Sequence, residues 1–226
     1  NLLKKKDSQI YKALRDLKTP YKNPYYFTKI NSQIRKCILS RYNGKIKNYL
    51  DVGCLTGHKT SLTGKYLGLK KENIYCLNLE HDKDFHNNVL VKDIIVKNYS
   101  GKEKFPFKDN FFSLLSYDMV LHHVEDLDLV LKESNRVLKK GGLLLIREHD
   151  ARTDFDKILC DIQHLFFHSL EEINKIKHTG EYISWLDLNY KITNYGFILK
   201  NHLVDPVYKN NLQNASRSYF SLYMKV

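Results

Sequence analysis

Two stretches of this 226-residue chain hold residues that could do chemistry. In the first, Asn48-Tyr49-Leu50-Asp51-Val52-Gly53-Cys54-Leu55-Thr56-Gly57, an apolar segment runs into a turn with two glycines. Glycine at 53 permits positive φ and lets the backbone approach a ligand with no Cβ in the way. A helix after Gly57 would aim its first amides at an anion there. Taken alone, such a turn could serve any tight strand-to-helix connection. The second stretch, Arg147-Glu148-His149-Asp150, places four ionisable residues after an apolar run, where core packing does not explain them. They are either a solvated loop or a site in which His149, oriented by Asp150 or Asp161, contacts or deprotonates a substrate. Asp161 and His164, one helical turn apart, could form the facing wall. His122 and His123 are further candidate bases, with a structural or capping role equally open.

The elements that would position these residues follow from hydrophobic periodicity. Residues 1–46 form a basic, aromatic segment with helical patterns over Ser8–Lys18 and Phe27–Tyr42, broken between Pro20 and Pro24 and closed by Asn43-Gly44. This segment is expected to pack on a second unit, residues 47–226. There the pattern predicts strands over Ile46–Val52, Ile74–Leu79, Leu90–Val91 (ending near Asp93), Phe112–Ser116 and Leu143–Arg147. Helices are predicted over Thr60–Leu67, Asp126–Lys139, Asp156–Phe167, Ser169–Lys177 and Ile183–Tyr195. Two closing strands, Ile198–Val204 and Ser218–Val226, suit an antiparallel hairpin. The alternation predicts an α/β fold: a mostly parallel seven-stranded, Rossmann-like sheet with helices on both faces.

Three further segments appear in order: Phe105-Pro106-Phe107-Lys108-Asp109-Asn110-Phe111-Phe112, then Leu121-His122-His123-Val124-Glu125-Asp126, then Arg136-Val137-Leu138-Lys139-Lys140-Gly141-Gly142. With the glycine turn they make Asn48 to Asp150 resemble the class I S-adenosylmethionine-dependent methyltransferases. The resemblance implies S-adenosylmethionine as cofactor. It implies that Asp51, Gly53, Cys54 and Gly57 receive its aminocarboxypropyl end. Asn78 or Glu80 would meet the ribose, where family members carry an acid, and Asp93 and Ile94 the adenine. Ser116, Tyr117 and Asp118 would end the strand at which the methyl group is presented. The family also has a glycine where this chain has Leu55.

Ribose 2'-O-methyltransferases on this fold use a Lys-Asp-Lys-Glu tetrad. Asp118 falls at its Asp and Lys29 at its first Lys, whereas Arg147 and Ser218 stand where Lys and Glu would be expected. Arginine can clamp a phosphate but is a poor proton acceptor. Asp118, Lys29, Arg147 and His149 are therefore the candidate catalytic residues.

The net charge of +12 and pI near 9.3 attract polyanions, although a chain rich in Lys, Asn, Ile and Tyr also reflects an A/T-rich coding bias. The basic surface suggests RNA as a partner, and an RNA cap or ribose hydroxyl as the first acceptor to consider. A small-molecule or protein methyltransferase, or a non-catalytic cofactor-fold binding subunit, is the alternative. Cys37, Cys54, Cys76 and Cys160 lie far apart with no Cys-x-x-Cys pair, so reduced thiols and no metal site are expected. No window is apolar enough for a membrane span, and the Lys-rich start lacks the apolar core of a secretion signal, so a cytoplasmic protein is expected.

Overall fold

The computed structural model describes residues 24–54, 56–79, 91–100, 102–170, 180–206, 214 and 216–226. Helix α1 (Pro24–Leu39) and a 3₁₀ turn (Ser40–Lys45) lead into β1 (Tyr49–Val52), α2 (His58–Tyr66), β2 (Ile74–Leu79) and β3 (Ile95–Tyr99). Next come β4 (Phe112–Asp118), a 3₁₀ turn (Leu121–His123), α3 (Leu127–Val137) and β5 (Leu138–His149). Helices α4 (Asp154–Leu170) and α5 (Trp185–Asn194) precede β6 (Phe197–Val204) and β7 (Ser218–Lys225). The expected helix over Ser8–Lys18 lies outside the described residues, as does Glu80.

The strands form one seven-stranded sheet in the order β3-β2-β1-β4-β5-β7-β6. The first five are parallel, and β7 inserts antiparallel between β5 and β6. Every residue of β1 and β4 is buried, as central parallel strands covered on both faces should be. Strand order reverses between β1 and β4, which opens a crevice at their carboxyl ends.

The pleat sorts side chains between the two faces with period two. Leu50, Val52, Leu115, Tyr117, Leu144 and Ile146 join a core with Leu131 and Val137 of α3 and Leu188 and Ile192 of α5. Tyr49, Leu114, Leu143 and Leu145 join the opposite core with Leu39 of α1 and Phe220 of β7. The same parity puts Asp51, Ser116, Asp118 and Arg147 on the α1/α2 face, and Glu148 on the other.

Several expectations are corrected. The third strand is Ile95–Tyr99, so Asp93 and Ile94 precede it instead of ending it. The short Leu90–Val91 run misled because β3 itself is largely exposed and carries little apolar signal. His122 and His123 do not begin a helix. They form a separate 3₁₀ turn, and α3 starts four residues later, capped by the Asp126 carboxylate accepting from the Leu129 amide at 2.8 Å.

Two of the sequence motifs prove structural. Arg136 donates to the carbonyls of Phe105 and Phe107 at 2.9 Å each and to Asp109 at 2.6 Å, while pairing with Glu133 at 2.6 Å. It thereby clamps the Phe-Pro-Phe-x-Asp segment onto α3. This explains why that segment and the Arg-Val-Leu-Lys turn occur together.

Candidate functional site

At the carboxyl ends of β1, β4 and β5, on the α1/α2 face, lies a chain of alternating charges. The Asp118 carboxylate takes Arg35 Nη2 at 2.8 Å, Lys59 Nζ at 2.7 Å and Arg147 Nη1 at 3.2 Å. Arg147 continues to Asp205 Oδ2 at 2.6 Å, and Ser218 Oγ donates to the same oxygen at 3.2 Å. Burial opposes ionisation of Asp118, yet Lys59, Arg35 and Arg147 hold it well below the usual carboxylate range. Burial in turn pushes the Lys59 ammonium down, with Asp118 pulling the other way.

The candidate tetrad is thus rearranged. Among the described side chains of α1, the cation that reaches Asp118 is Arg35. Lys29 lies in the same helix, but its side chain is outside the described residues. Asp205 occupies the far acidic position where Ser218 was considered, and Ser218 supports it. Arg35 and Arg147 both pair with Asp118, and neither guanidinium can accept a proton. Lys59 is the one lysine of this described network. It stands in the first turn of α2 with a side chain 26% exposed, at the mouth of the crevice. Arg35, Lys59 and Asp205 escaped the sequence reading because nothing local marks them.

The glycine turn follows β1. Gly53 (φ 74°) and Gly57 (φ 77°) both need left-handed backbone, and Gly57 precedes the first turn of α2. A Cβ at Gly53 would lie 2.5 Å from Val120 Cγ2, so this glycine also lets the β4 exit pass closely. Asp51 braces the crevice: one oxygen accepts from Thr60 Oγ1 at 2.6 Å and the other from Ser116 Oγ. Cys54 and Cys76 are joined in a disulfide with Cα atoms 5.9 Å apart, whereas Cys37 and Cys160 are thiols. The expectation of four reduced cysteines failed because sequence distance hides the pairing of β1 with β2, in which Cys76 lies beside Asp51.

Asn78 is buried near the carboxyl end of β2. Tyr117, expected at the cofactor, is wholly buried on the opposite face, its hydroxyl 2.6 Å from Ser134 Oγ. Asp93 accepts from Ser61 at 2.9 Å and pairs with Lys65 at 2.6 Å on the flank of α2. Ile94 packs against the α1/α2 core. The pleat and the true start of β3 therefore remove the premise for adenine or cofactor contacts by these three.

On the other side of β5, Glu148 and three histidines meet. Glu148 Oε1 lies 2.5 Å from His122 Nδ1 and accepts from the His149 amide at 3.0 Å, while Oε2 accepts from the Leu121 amide at 3.0 Å. Burial pushes its carboxyl up. His149 Nδ1 is 3.2 Å from the Ser216 carbonyl, which, and not Asp150 or Asp161, orients the ring. Asp150 instead accepts from the Trp185 amide at 2.8 Å and from Arg152 at 2.7 Å. Burial pushes His149 down to about 3, against the pull of Glu148 and with His122 and His164 adding to it. His164 of α4 completes the group, its Nε2 3.2 Å from His122 Nε2. Beside it, a cleft of about 560 Å³ opens past the end of β5, lined by Ala151, Arg152, Tyr182, Ile183, Trp185 and Leu186 among others. That is within the usual size of small-molecule sites, roughly 300–1,000 Å³.

A parallel sheet that reverses at β1/β4, a glycine turn after β1 and polar clusters at the ends of β4 and β5 define a Rossmann-like methyltransferase fold. Residues 50–146 match a family model described as "Methyltransferase domain". Over that segment the chain is similar to class I S-adenosylmethionine-dependent methyltransferases. It is 34% identical over 128 residues to a demethylmenaquinone methyltransferase of Staphylococcus saprophyticus, covering 53% of this chain and 52% of that protein. It is 29% identical over 133 residues to a ubiquinone/menaquinone biosynthesis C-methyltransferase of Vibrio vulnificus, covering 56% and 50%. The chain spans about half the length of the curated relatives it matches. Among solved structures, a SAM-dependent methyltransferase of Aquifex aeolicus superposes with TM-score 0.55 at 17% identity, over 85% of this chain and 89% of that one. A geranyl diphosphate C-methyltransferase of Streptomyces coelicolor gives TM-score 0.60 at 11% identity, over 86% and 79%. These two share the fold. Among the described residues, no helix is long and apolar enough to cross a membrane.

Proposed function

We propose that this chain transfers the methyl group of S-adenosylmethionine to a small organic molecule with an apolar body, held in the cleft beyond β5. The donor set at the crevice suits the cofactor. The Lys59 ammonium and the first amides of α2 match its carboxylate, and the Asn78 amide can pair with ribose hydroxyls. Gly53 and Gly57 let the backbone approach it, with Asp51 and Asp118 bracing the walls. When bound, the cofactor supplies an electrophilic sulfonium methyl for in-line displacement. Placing an acceptor against it contributes on the order of 7–11 kcal/mol, so the residues of this chain need do little more than position and exclude water. Glu148 and His149 stand behind the cleft, sharing Tyr182 and Ile183 with its wall.

The observation that carries this reading is the cleft of about 560 Å³ walled by Tyr182, Ile183, Trp185 and Leu186 beside the histidines. The quinone-pathway relatives favour the same class of acceptor over RNA. Arg35 and Arg147 are engaged with Asp118 and Asp205, and an arginine-for-lysine tetrad is poorly suited to activating a ribose hydroxyl. Incubation with tritiated S-adenosylmethionine and fractionated cell extract tests the proposal. Label is expected in the solvent-extractable small-molecule fraction and to be lost with Trp185→Ala. Label confined to RNA or protein would overturn it, and no cofactor binding by calorimetry would remove enzymatic transfer altogether.

A further inference from the structure

His122, His149 and His164 come from the turn after β4, the end of β5 and the body of α4. One side-chain nitrogen of each lies within 4.8 Å of the others. The hydrogen bonds around them assign their tautomers. His149 Nδ1 faces the Ser216 carbonyl at 3.2 Å, and His164 Nδ1 faces the Cys160 carbonyl at 2.8 Å. Carbonyl oxygens only accept, so both Nδ1 atoms carry protons. His122 Nδ1 donates to the Glu148 carboxylate at 2.5 Å. In the neutral rings the lone pairs then sit on Nε2.

Two of those nitrogens, on His122 and His164, face each other at 3.2 Å. Either one ring carries a proton on Nε2 and donates it to the other, with Tyr182 Oη 3.0 Å from His164 Nδ1, or a cation lies between them. The separation is near the roughly 3.3 Å between ligand atoms of a tetrahedral site with bonds of about 2.05 Å. A ligating histidine typically donates its other nitrogen to a carboxylate or a backbone carbonyl, and all three do so here. A cavity of about 20 Å³, bordered by His122, Glu148, His149 and Tyr182, adjoins the cluster. It has space for one water or ligand atom. Tyr182 and Ile183 line both this cavity and the larger cleft.

We propose that His122, His149 and His164 bind one divalent first-row transition-metal ion, zinc foremost, with its remaining coordination position open to the cleft. Three imidazoles suit zinc or cobalt and not magnesium or calcium, which prefer oxygen. Three protein ligands with one open position is the layout of a catalytic zinc site. The ion would fix an oxygen of the acceptor. That role rests on the methyltransferase reading, whereas metal binding itself does not.

The test is calorimetric titration of the chelator-stripped chain with Zn²⁺, and titration with Co²⁺ followed by visible absorption. One ion per chain is expected, with cobalt d–d bands and a higher melting temperature in zinc. His164→Gln, at the half-buried position, should abolish stoichiometric uptake while circular dichroism shows a folded chain; His149→Ala should do the same where it folds. Glu148→Gln should weaken zinc about 10- to 100-fold. Absence of stoichiometric uptake by the folded wild type, or undiminished uptake by a folded His164→Gln, would overturn the proposal. S-adenosylmethionine binding measured on the same samples separates the two readings. Its loss with zinc uptake intact defeats the methyltransferase reading alone, and the reverse defeats the metal site alone.

Discussion

Lys59 Nζ stands 2.7 Å from Asp118 Oδ2, bridging the first turn of α2 to the end of β4 across the mouth of the crevice. With a partly exposed ammonium it can also meet an incoming carboxylate. Lys59→Met should therefore raise the dissociation constant for S-adenosylmethionine about tenfold, the scale of one charge-assisted hydrogen bond. Calorimetry at fixed salt reads this directly. An unchanged constant would remove Lys59 from the cofactor site.

Asp118 sets an acid limit on stability. Its pKa is depressed in the folded chain, so its contribution is fully present above its unfolded value of about 3.9 and is lost as pH falls further. Urea unfolding of the wild type should therefore weaken steeply below about pH 4. Asp118→Asn, which leaves Arg35 and Arg147 without that charge, should cost about 3–5 kcal/mol at pH 7 and show a flatter acid limb. Parallel pH profiles for the two proteins would show that Asp118 is not the responsible group.

The Cys54–Cys76 bond closes a loop with a sequence separation of 22 residues. Chain-entropy arguments give such a crosslink about 3 kcal/mol. Dithiothreitol should lower the melting temperature of the wild type and leave Cys76→Ser unaffected. A wild type whose melting is insensitive to reductant would show that the crosslink does not contribute.

Gly53 is constrained twice, by φ 74° and by Val120 Cγ2 at 2.5 Å from any added Cβ. Gly53→Ala should destabilise by about 1–3 kcal/mol through strain and overpacking. Adding Val120→Ala should restore the steric part but not the backbone part, so the double variant should recover only partially relative to Val120→Ala alone. Full additivity of the two changes in denaturant unfolding would show that the clash is not felt.

Much of the fold was legible locally. The apolar runs of β1, β2, β4 and β7 and the periodic faces of α3 and α5 record burial of each element, and burial pattern is what sequence periodicity carries. The exposed β3 carries no such record, which is why Asp93 was placed at the wrong end of a strand. The candidate site was legible only as separate pieces. Asp118, Arg147, His122, His149 and His164 each stood out as polar residues near strand ends or on a helix.

Which of them meet was decided by tertiary structure alone. Arg35 reaches Asp118 across 83 positions, and His122 meets His164 across 42. The β1/β4/β5 register and the pleat send Asp118 and Arg147 to one face, and Tyr117 and Glu148 to the other. A contact between distant residues depends on strand register and helix packing, and neither leaves a mark in the residues nearby. The residues alone marked most of the elements, their order and the glycine turn, but not the exposed β3 or the separate turn at His122 and His123. Only the folded sheet decided that Arg35 faces Asp118, that Cys54 bonds Cys76, and that three histidines meet.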